Sequence, residues 1–438
     1  MIAATKRILV LGASGLIGRF ITEDLRKRGF DVTGVARRFP SGQKDSASDY
    51  ESPIMSLEAA ALAELLQRWQ IDLLVNCLGV LQDGPGNDTR AVHRDFVSRL
   101  VQAVGMSGRE VCFVHISIPG EAADDRTAFA QTKREAERLI EASGLRYAVL
   151  RPGFVIAPAA YGGSAMLRAL AALPLNLPEA ESATPFQPVA VEDVSATIAW
   201  LVNHDLPQDG VVWELMQPKL VTLGGIVTEF QRALGTRDQW RVRLPSWLLD
   251  LGTKLGDLAA WFGWSSPIRT TAIAELRRGV SGDPQPWITA TGIVPLTLAE
   301  SVGHGPATIQ DKWFARLYLV KALIITSLAV FWIASGLIAV VISYDAAAAI
   351  LMSHGFPKAL VGPVTVGSSL MDMTVGALIA FRRSAATGLI AGIVVSLGYM
   401  LGAAVLTPDL WIEPLGALVK TGPAVVLMLV ALLTLDSR

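Results

Sequence analysis

Cysteine and histidine are scarce. Only two cysteines, Cys77 and Cys112, occur in 438 residues, each on an apolar run, which excludes a disulfide framework and points to buried thiols in a reducing compartment. The five histidines are scattered without metal-ligand spacing, so no metal site is expected. An excess of one charge is missing too: 38 lysines and arginines face 39 aspartates and glutamates, and no basic run stands out, which excludes nucleic acid as a partner. No signal pattern of positive, apolar and small residues precedes the first apolar run, so the N-terminal domain is expected to stay in the cytoplasm. Apolar residues are what the chain does have. It is 51% hydrophobic with a mean hydropathy of +0.43, and the excess gathers near the C-terminal end in four long segments almost free of charge.

The stretch from Ile8 to Ile21, ILVLGASGLIGRFI, organises the rest. An apolar strand leads to Gly12, Gly15 and Gly18 at three-residue spacing, and a segment of helical periodicity comes next. In chemical terms Gly12 permits the tight turn, Gly15 lets backbone approach a pyrophosphate, and Gly18 lets helix pack on sheet. The pyrophosphate of a dinucleotide then meets the free N–H groups at the helix start, so Gly12, Ser14, Gly15, Leu16 and Ile17 are cofactor-binding candidates. A second strand, DVTGVARR, ends in Arg37 and Arg38. A carboxylate here bonds the ribose of NAD, whereas arginine accommodates the extra phosphate of NADP, so NADP(H) is expected ahead of NAD(H). Residues 40–53 are polar and read as a mobile loop.

Further apolar strands and amphipathic helices alternate along the chain. IDLLVNCLGV places Asn76 and Gly79 at a strand end facing the cofactor, and EVCFVHIS ends a strand at Ser117. TAFAQTKREAERLIEASG carries Phe129 and Lys133 on one helical face, and LRYAVLRPGFVIAP and FQPVAVEDVSATIAWLV supply another strand, a turn and a helix. This alternation predicts an α/β fold, a doubly wound parallel Rossmann sheet over residues 1–157, completed by about 186–215. A small substrate lobe is expected over 158–310, and an all-α, four-helix transmembrane domain over 311–438.

The ordered set GASGLIG, NCLG, Ser117, the helix with Lys133, LRPGFVIAP and PVAVEDV resembles the extended and atypical short-chain dehydrogenase/reductase superfamily over about the first 300 residues. SGDPQPWITATGIVPLTL further resembles the C-terminal lobe of the atypical branch, which includes the accessory nucleotide-binding subunit of respiratory complex I. The resemblance implies a tyrosine and a lysine four residues apart as the acid–base pair, with a serine beside them. Ser117 and Lys133 stand at the matching catalytic positions, and Lys133 also at the ribose-holding one, but the tyrosine position holds Phe129. A phenyl ring carries no proton, and losing a positioned acid–base group costs about 10²–10⁴ in rate.

In the substrate region Tyr161, Ser164 and Arg168 stand near a helix start, where they meet an anionic head group or, in the case of Ser164, cap the helix. Trp247, Trp261 and Trp264 lie on a segment that reads either as core or as resting on a bilayer surface. Four candidate spans run from Leu317 to Ile342, Val361 to Phe381, Ala386 to Leu406 and Leu415 to Leu435. Such a module after a reductase-like domain resembles the DoxX-like membrane family. Lys312, Arg316 and Lys321 beside span one, and Arg382 and Arg383 between spans two and three, place the Rossmann domain and both termini in the cytoplasm of a bacterial inner membrane. Asp372 within span two is expected to pair with Lys420 or to serve a substrate or proton path.

These features support an oxidoreductase, anchored in the membrane, that binds NADP(H) and acts on a lipid-soluble carbonyl, alcohol or quinone, with other membrane redox proteins as partners. The alternative is a scaffold or assembly factor that senses NADP(H), which the phenylalanine at 129 favours. A transporter gated by the nucleotide domain rests on Asp372 and Lys420 alone.

Overall fold

The computed structural model describes residues 6–40, 44, 48–84, 87–237, 240–303, 307–412 and 416–435. Contacts divide the chain into two units, Met1–Asp257 with Pro267–Ala315, and Leu258–Ser266 with Arg316–Arg438.

The first unit is built on a seven-stranded, wholly parallel sheet. Its strands are β1 (Arg7–Leu11), β2 (Asp31–Ala36), β3 (Asp49–Glu51), β4 (Leu73–Asn76), β5 (Cys112–Ile116), β6 (Tyr147–Pro152) and β7 (Val211–Leu215), in the order β7-β6-β5-β4-β1-β2-β3. Apolar runs form these strands because both sheet faces are covered, and the period-two pleat sorts them into two cores. Ile8, Val10, Val75, Val114 and Leu150 pack with Ile21 and Leu25 of α1 (Leu16–Lys27) and with Ile198 of the helix Val191–Asn203. Leu9, Leu11, Leu74, Phe113 and Val149 pack on α2 (Ala59–Arg68), α3 (Phe96–Met106) and α4 (Ala128–Glu141) through Leu66, Leu100 and Ile140. The strand order reverses between β1 and β4, which opens a crevice at the carboxyl ends of those strands.

Two sequence expectations change in this unit. Within the polar stretch 40–53, Asp49–Glu51 forms the edge strand β3, and the buried Asp49 carboxylate is paired with Arg26 at 2.7 Å. Residues 41–43 and 45–47 lie outside the described residues. In the lobe, Ser164 takes the capping role expected of it on the helix Gly162–Ala172, its hydroxyl accepting from Tyr161 N–H (3.1 Å) and donating to Tyr161 O (2.9 Å). Arg168 donates to the carbonyl oxygens of Ala157 (2.6 Å) and Pro158 (3.1 Å) and is spent on local structure, while the Tyr161 side chain is exposed.

Among the described residues three helices are long and apolar enough to cross a membrane, Ile309–Ile342, Lys358–Ala380 and Ala385–Leu406, and from Arg316 on they belong to the second unit. A fourth apolar helix, Ala417–Leu433, has 17 residues, and the expected start of that span at Leu415 lies outside the described residues. Leu328, Trp332, Val375, Ile379, Leu389 and Met428 form the core of this unit. The expected pair of Asp372 with Lys420 does not form. Asp372 accepts hydrogen bonds from Tyr399 Oη (2.9 Å) and Ser335 Oγ (3.3 Å) on neighbouring helices, while Lys420 is exposed on the last one. Lys321 Nζ donates to the carbonyl oxygens of Thr434 and Leu435, and Arg382 also donates to Leu435 O (3.0 Å), so cations satisfy the carbonyl end of the last helix.

Candidate functional site

The glycine turn joins β1 to α1. Gly12 has φ +81°, a conformation that favours glycine, and its N–H and that of Ala13 donate to Val35 O at 2.9 and 3.1 Å. These bonds tie the end of β2 to the turn. On the other side, a side chain on Gly12 would meet the backbone of Cys77 and Leu78 at 3.2 Å. A Cβ on Gly18 would collide with the Gly12 carbonyl, so the helix reaches the turn only without one. Gly15 is exposed and extended at the start of α1, and no side chain caps the helix there. The N–H groups of the first turn, on Leu16 and Ile17, have no intrahelical acceptor. Ser14 is half-buried in the turn itself. An uncapped, positively polarised helix start behind a turn without side chains is a cradle that fits a pyrophosphate. Arg37 and Arg38 come directly after β2, both exposed, and neither makes an ion pair among the described residues.

A second cluster lies along the same carboxyl edge, at the ends of β4 and β5. Asn76 is fully buried; its Oδ1 accepts from Leu78 N–H (3.1 Å) and its Nδ2 meets His115 Nδ1 (3.2 Å), so its amide shapes the segment that carries Gly79. Gly79 is exposed, and a Cβ there would stand 3.8 Å from Lys133 Nζ and 3.7 Å from His93 Nε2. Lys133 is only 5% exposed, and its ammonium donates to Ile116 O (2.8 Å) and Leu78 O (3.4 Å). Burial pushes its pKa down from 10.5 to about 8, against the opposing influence of Cys77 and Glu137. Phe129, one turn earlier on α4, sets its ring edge-to-face on His93 with centroids 5.5 Å apart. His93 Nε2 accepts from Val80 N–H (3.1 Å), which leaves Nδ1 as the protonated nitrogen facing Thr132 Oγ1 (2.9 Å). Burial first, then the Lys133 charge, holds both His93 and His115 neutral. Ser117 is buried at the end of β5 beside the Glu137 carboxylate.

Lys133 and its neighbour Arg134 point to different surroundings. Arg134 pairs with Asp125 (2.9 Å) and Glu137 (3.1 Å), and Arg151 of β6 grips Glu137 through two hydrogen bonds of 3.0 and 2.6 Å. Beside this network lies a cavity of about 830 Å³ lined by Gly120, Arg134, Arg151, Glu214, Arg278 and Asp283 among others. Neither Lys133, Phe129 nor Ser117 lines it. Both thiols are free and half-buried, and burial raises Cys77 to about 12 and Cys112 to about 11.

The structure therefore brings most predicted residues to one edge: the glycine turn, Arg37 and Arg38 on one flank, Asn76 and Gly79 on the other, then Lys133 and Ser117. His93, His115 and the Glu137–Arg151 pair were not anticipated. Their only sequence signals were single polar residues on otherwise apolar elements, which read as ordinary core or surface. No cluster of metal-ligating residues occurs among the described residues.

A seven-stranded parallel sheet with this turn defines a doubly wound, Rossmann-type fold. Residues 8–206 match the NAD dependent epimerase/dehydratase family, and residues 329–429 match the DoxX-like family. The chain thus joins an epimerase-type, short-chain-dehydrogenase-like Rossmann domain to a C-terminal DoxX-like domain. No curated protein matches it. Among solved structures, UDP-glucuronic acid 4-epimerase from Bacillus cereus in complex with NAD aligns with a TM-score of 0.53 and 14% identity, over 71% of this chain and 99% of that one. MoeE5 in complex with UDP-glucuronic acid and NAD gives 0.51 and 18%, over 72% and 99%. The NAD dependent NDP-hexosamine 5,6-dehydratase TunA gives 0.50 and 16%, over 68% and 95%. These likenesses establish the fold.

Proposed function

We propose that this chain is a membrane-anchored, NADP(H)-binding oxidoreductase of the short-chain type whose substrate is a lipid-soluble carbonyl, alcohol or quinone. The observation that carries the reading is one edge of the sheet, on which the glycine cradle, the exposed Gly79 and the Lys133 ammonium succeed each other at the ends of β1, β4 and β5. The NAD held by the structurally similar epimerase and by MoeE5 supports a nicotinamide dinucleotide in the cradle. Arg37 and Arg38, exposed without ion-pair partners among the described residues, favour the form with the extra phosphate.

In this reading Gly12, Ser14, Gly15, Leu16 and Ile17 hold the pyrophosphate, Arg37 and Arg38 the 2′-phosphate, the Asn76–Gly79 segment forms the floor, and Lys133 holds the ribose. The reduced nicotinamide supplies a hydride when bound. The proton comes from Lys133. With phenylalanine at 129 and both histidines neutral, its ammonium is the proton donor this reading assigns among the described residues of the edge. A carbonyl that gains a hydride at carbon and the Lys133 proton at oxygen leaves as an alcohol, and water reprotonates the amine. The DoxX-like part anchors the chain in the membrane through four spans, with the Rossmann domain and both termini on the cytoplasmic side and other membrane redox proteins as neighbours.

The Phe129 ring, packed on His93, favours a second reading in which the dinucleotide is sensed without turnover and the chain is a scaffold for a membrane redox complex. NADPH consumption by the purified full-length protein supplied with membrane lipid extract separates them: consumption supports the enzyme, and tight binding without consumption supports the scaffold.

A further inference from the structure

We infer that the helix Ser246–Trp261 is an interfacial helix that lies in the lipid head-group layer, with one apolar face in the bilayer. The helix has two apolar faces. Leu249, Thr253 and Ala260 are each 8% exposed and lie on one side, where the helix meets its own protein. Trp247, Leu251, Leu255 and Leu258, at spacings of four, four and three, form a second stripe on the opposite side, and they are 65%, 44%, 56% and 56% exposed. Leu248 and Trp261 widen it, with Trp261 at 83%. At 1.5 Å per residue the stripe runs for about 20 Å.

The two carboxylates of the helix lie off the stripe: Asp250 pairs with Arg277 (2.9 Å), and Asp257 with Arg269 (3.0 Å), so both are turned to partners within the protein. Lys254, exposed and three residues after Leu251, is the one charge among the stripe residues, and it has the length to place its ammonium among head groups while its stem stays apolar.

The end of the helix and the residues after it identify the occupant. Leu258–Ser266 belongs to the membrane unit, and there Trp264 Nε1 donates to Ala380 O (2.7 Å), at the end of the apolar helix Lys358–Ala380. Arg382 N donates to Phe262 O (2.9 Å), the Phe262 and Phe381 rings lie 5.0 Å apart, and the Arg382 guanidinium sits 5.5 Å over the Trp264 ring. Tryptophan and arginine at a span's end mark the bilayer boundary. The exposed stripe therefore runs into a segment already fixed at that boundary, which makes lipid its partner. The inference rests on the membrane part of the proposed function and is independent of the chemistry at Lys133.

The test uses the unmodified full-length chain in vesicles of phosphatidylethanolamine and phosphatidylglycerol that contain a phospholipid with a diazirine on its acyl chain. After photolysis, tryptic peptides are read by mass spectrometry. Label is expected on peptides 244–254 and 255–269 and on the span Ala385–Leu406, with background only on 220–232. In the Leu251→Glu/Leu255→Glu variant, whose changes fall on exposed positions, label on 244–254 falls to that background. Labelled spans with an unlabelled 244–254 overturn the inference. Cross-linking of 244–254 to the same peptide of a second copy also overturns it, in favour of self-association. If the spans are unlabelled as well, the membrane reading itself fails.

Discussion

Lys133 provides a pH signature for cofactor binding. Its pKa falls from 10.5 to about 8, a difference of 2.5 units or roughly 3.4 kcal/mol at 1.36 kcal/mol per unit, because the ammonium is buried with carbonyl oxygens and no carboxylate in direct contact. If that ammonium holds the cofactor's ribose, one charge-assisted hydrogen bond contributes about 1.5–3 kcal/mol and raises the pKa of the complex by about one to two units. The sign is then fixed: binding is strongest below about pH 8, weakens as pH rises through that value, and levels off at the higher pKa of the complex. From pH 7 to 9.5 the Kd for NADPH is expected to rise between roughly eightfold and twenty-five-fold. The facing groups do not titrate in this window, since burial holds His93 near 2 and Cys77 near 12, and lowers His115 as well. The assay is nicotinamide fluorescence of NADPH titrated with detergent-purified protein. Lys133→Met is expected to bind weakly at every pH with a flat profile. A flat profile in the native protein, or the same slope in the variant, refutes the assignment of Lys133 to the cofactor.

The same edge yields three further outcomes. Gly15→Ala places a methyl where the pyrophosphate approaches and asks the Gly12 carbonyl, 3.2 Å away, to give by a few tenths of an ångström; NADPH binding should fall at least about tenfold with little change in thermal stability. Equal losses of both would make the turn merely structural. Arg37→Glu removes a charge from the proposed phosphate site and should shift the NADPH/NADH affinity ratio toward NADH by about 10-fold or more, as competitive titrations would reveal. Phe129→Tyr supplies a phenol one turn from Lys133 and should raise NADPH consumption with lipid extract by up to about 10²–10⁴. An unchanged rate would count against proton supply as the limiting step.

How much of this was legible in the sequence depended on which physical constraint left a local trace. The glycine turn, the apolar strands and the long apolar helices are set by backbone sterics and burial, which act within a few residues and mark composition directly. β3 left no such trace, because Asp49 is buried on the strength of Arg26, 23 residues away. The same holds at the site. Phe129 and Lys133 announce themselves by spacing on α4, but that His93 from another element meets both Phe129 and the loop after β4 is a tertiary fact. Asp372 took neutral donors from two neighbouring helices in place of the expected cation, since packing of spans decides which groups share a depth. In Arg168, hydrogen bonds to nearby backbone carbonyls absorbed a group that looked free for a ligand, while Ser164 took the capping role its position at a helix start announces.

The most direct test of the account tracks NADPH fluorescence with purified full-length protein, first alone and then with membrane lipid extract. The account predicts tight binding, and then loss of the reduced-nicotinamide signal once the extract supplies an acceptor. Binding with a lasting signal would contradict the oxidoreductase and leave the scaffold, and no binding at all would contradict the cradle on which both depend.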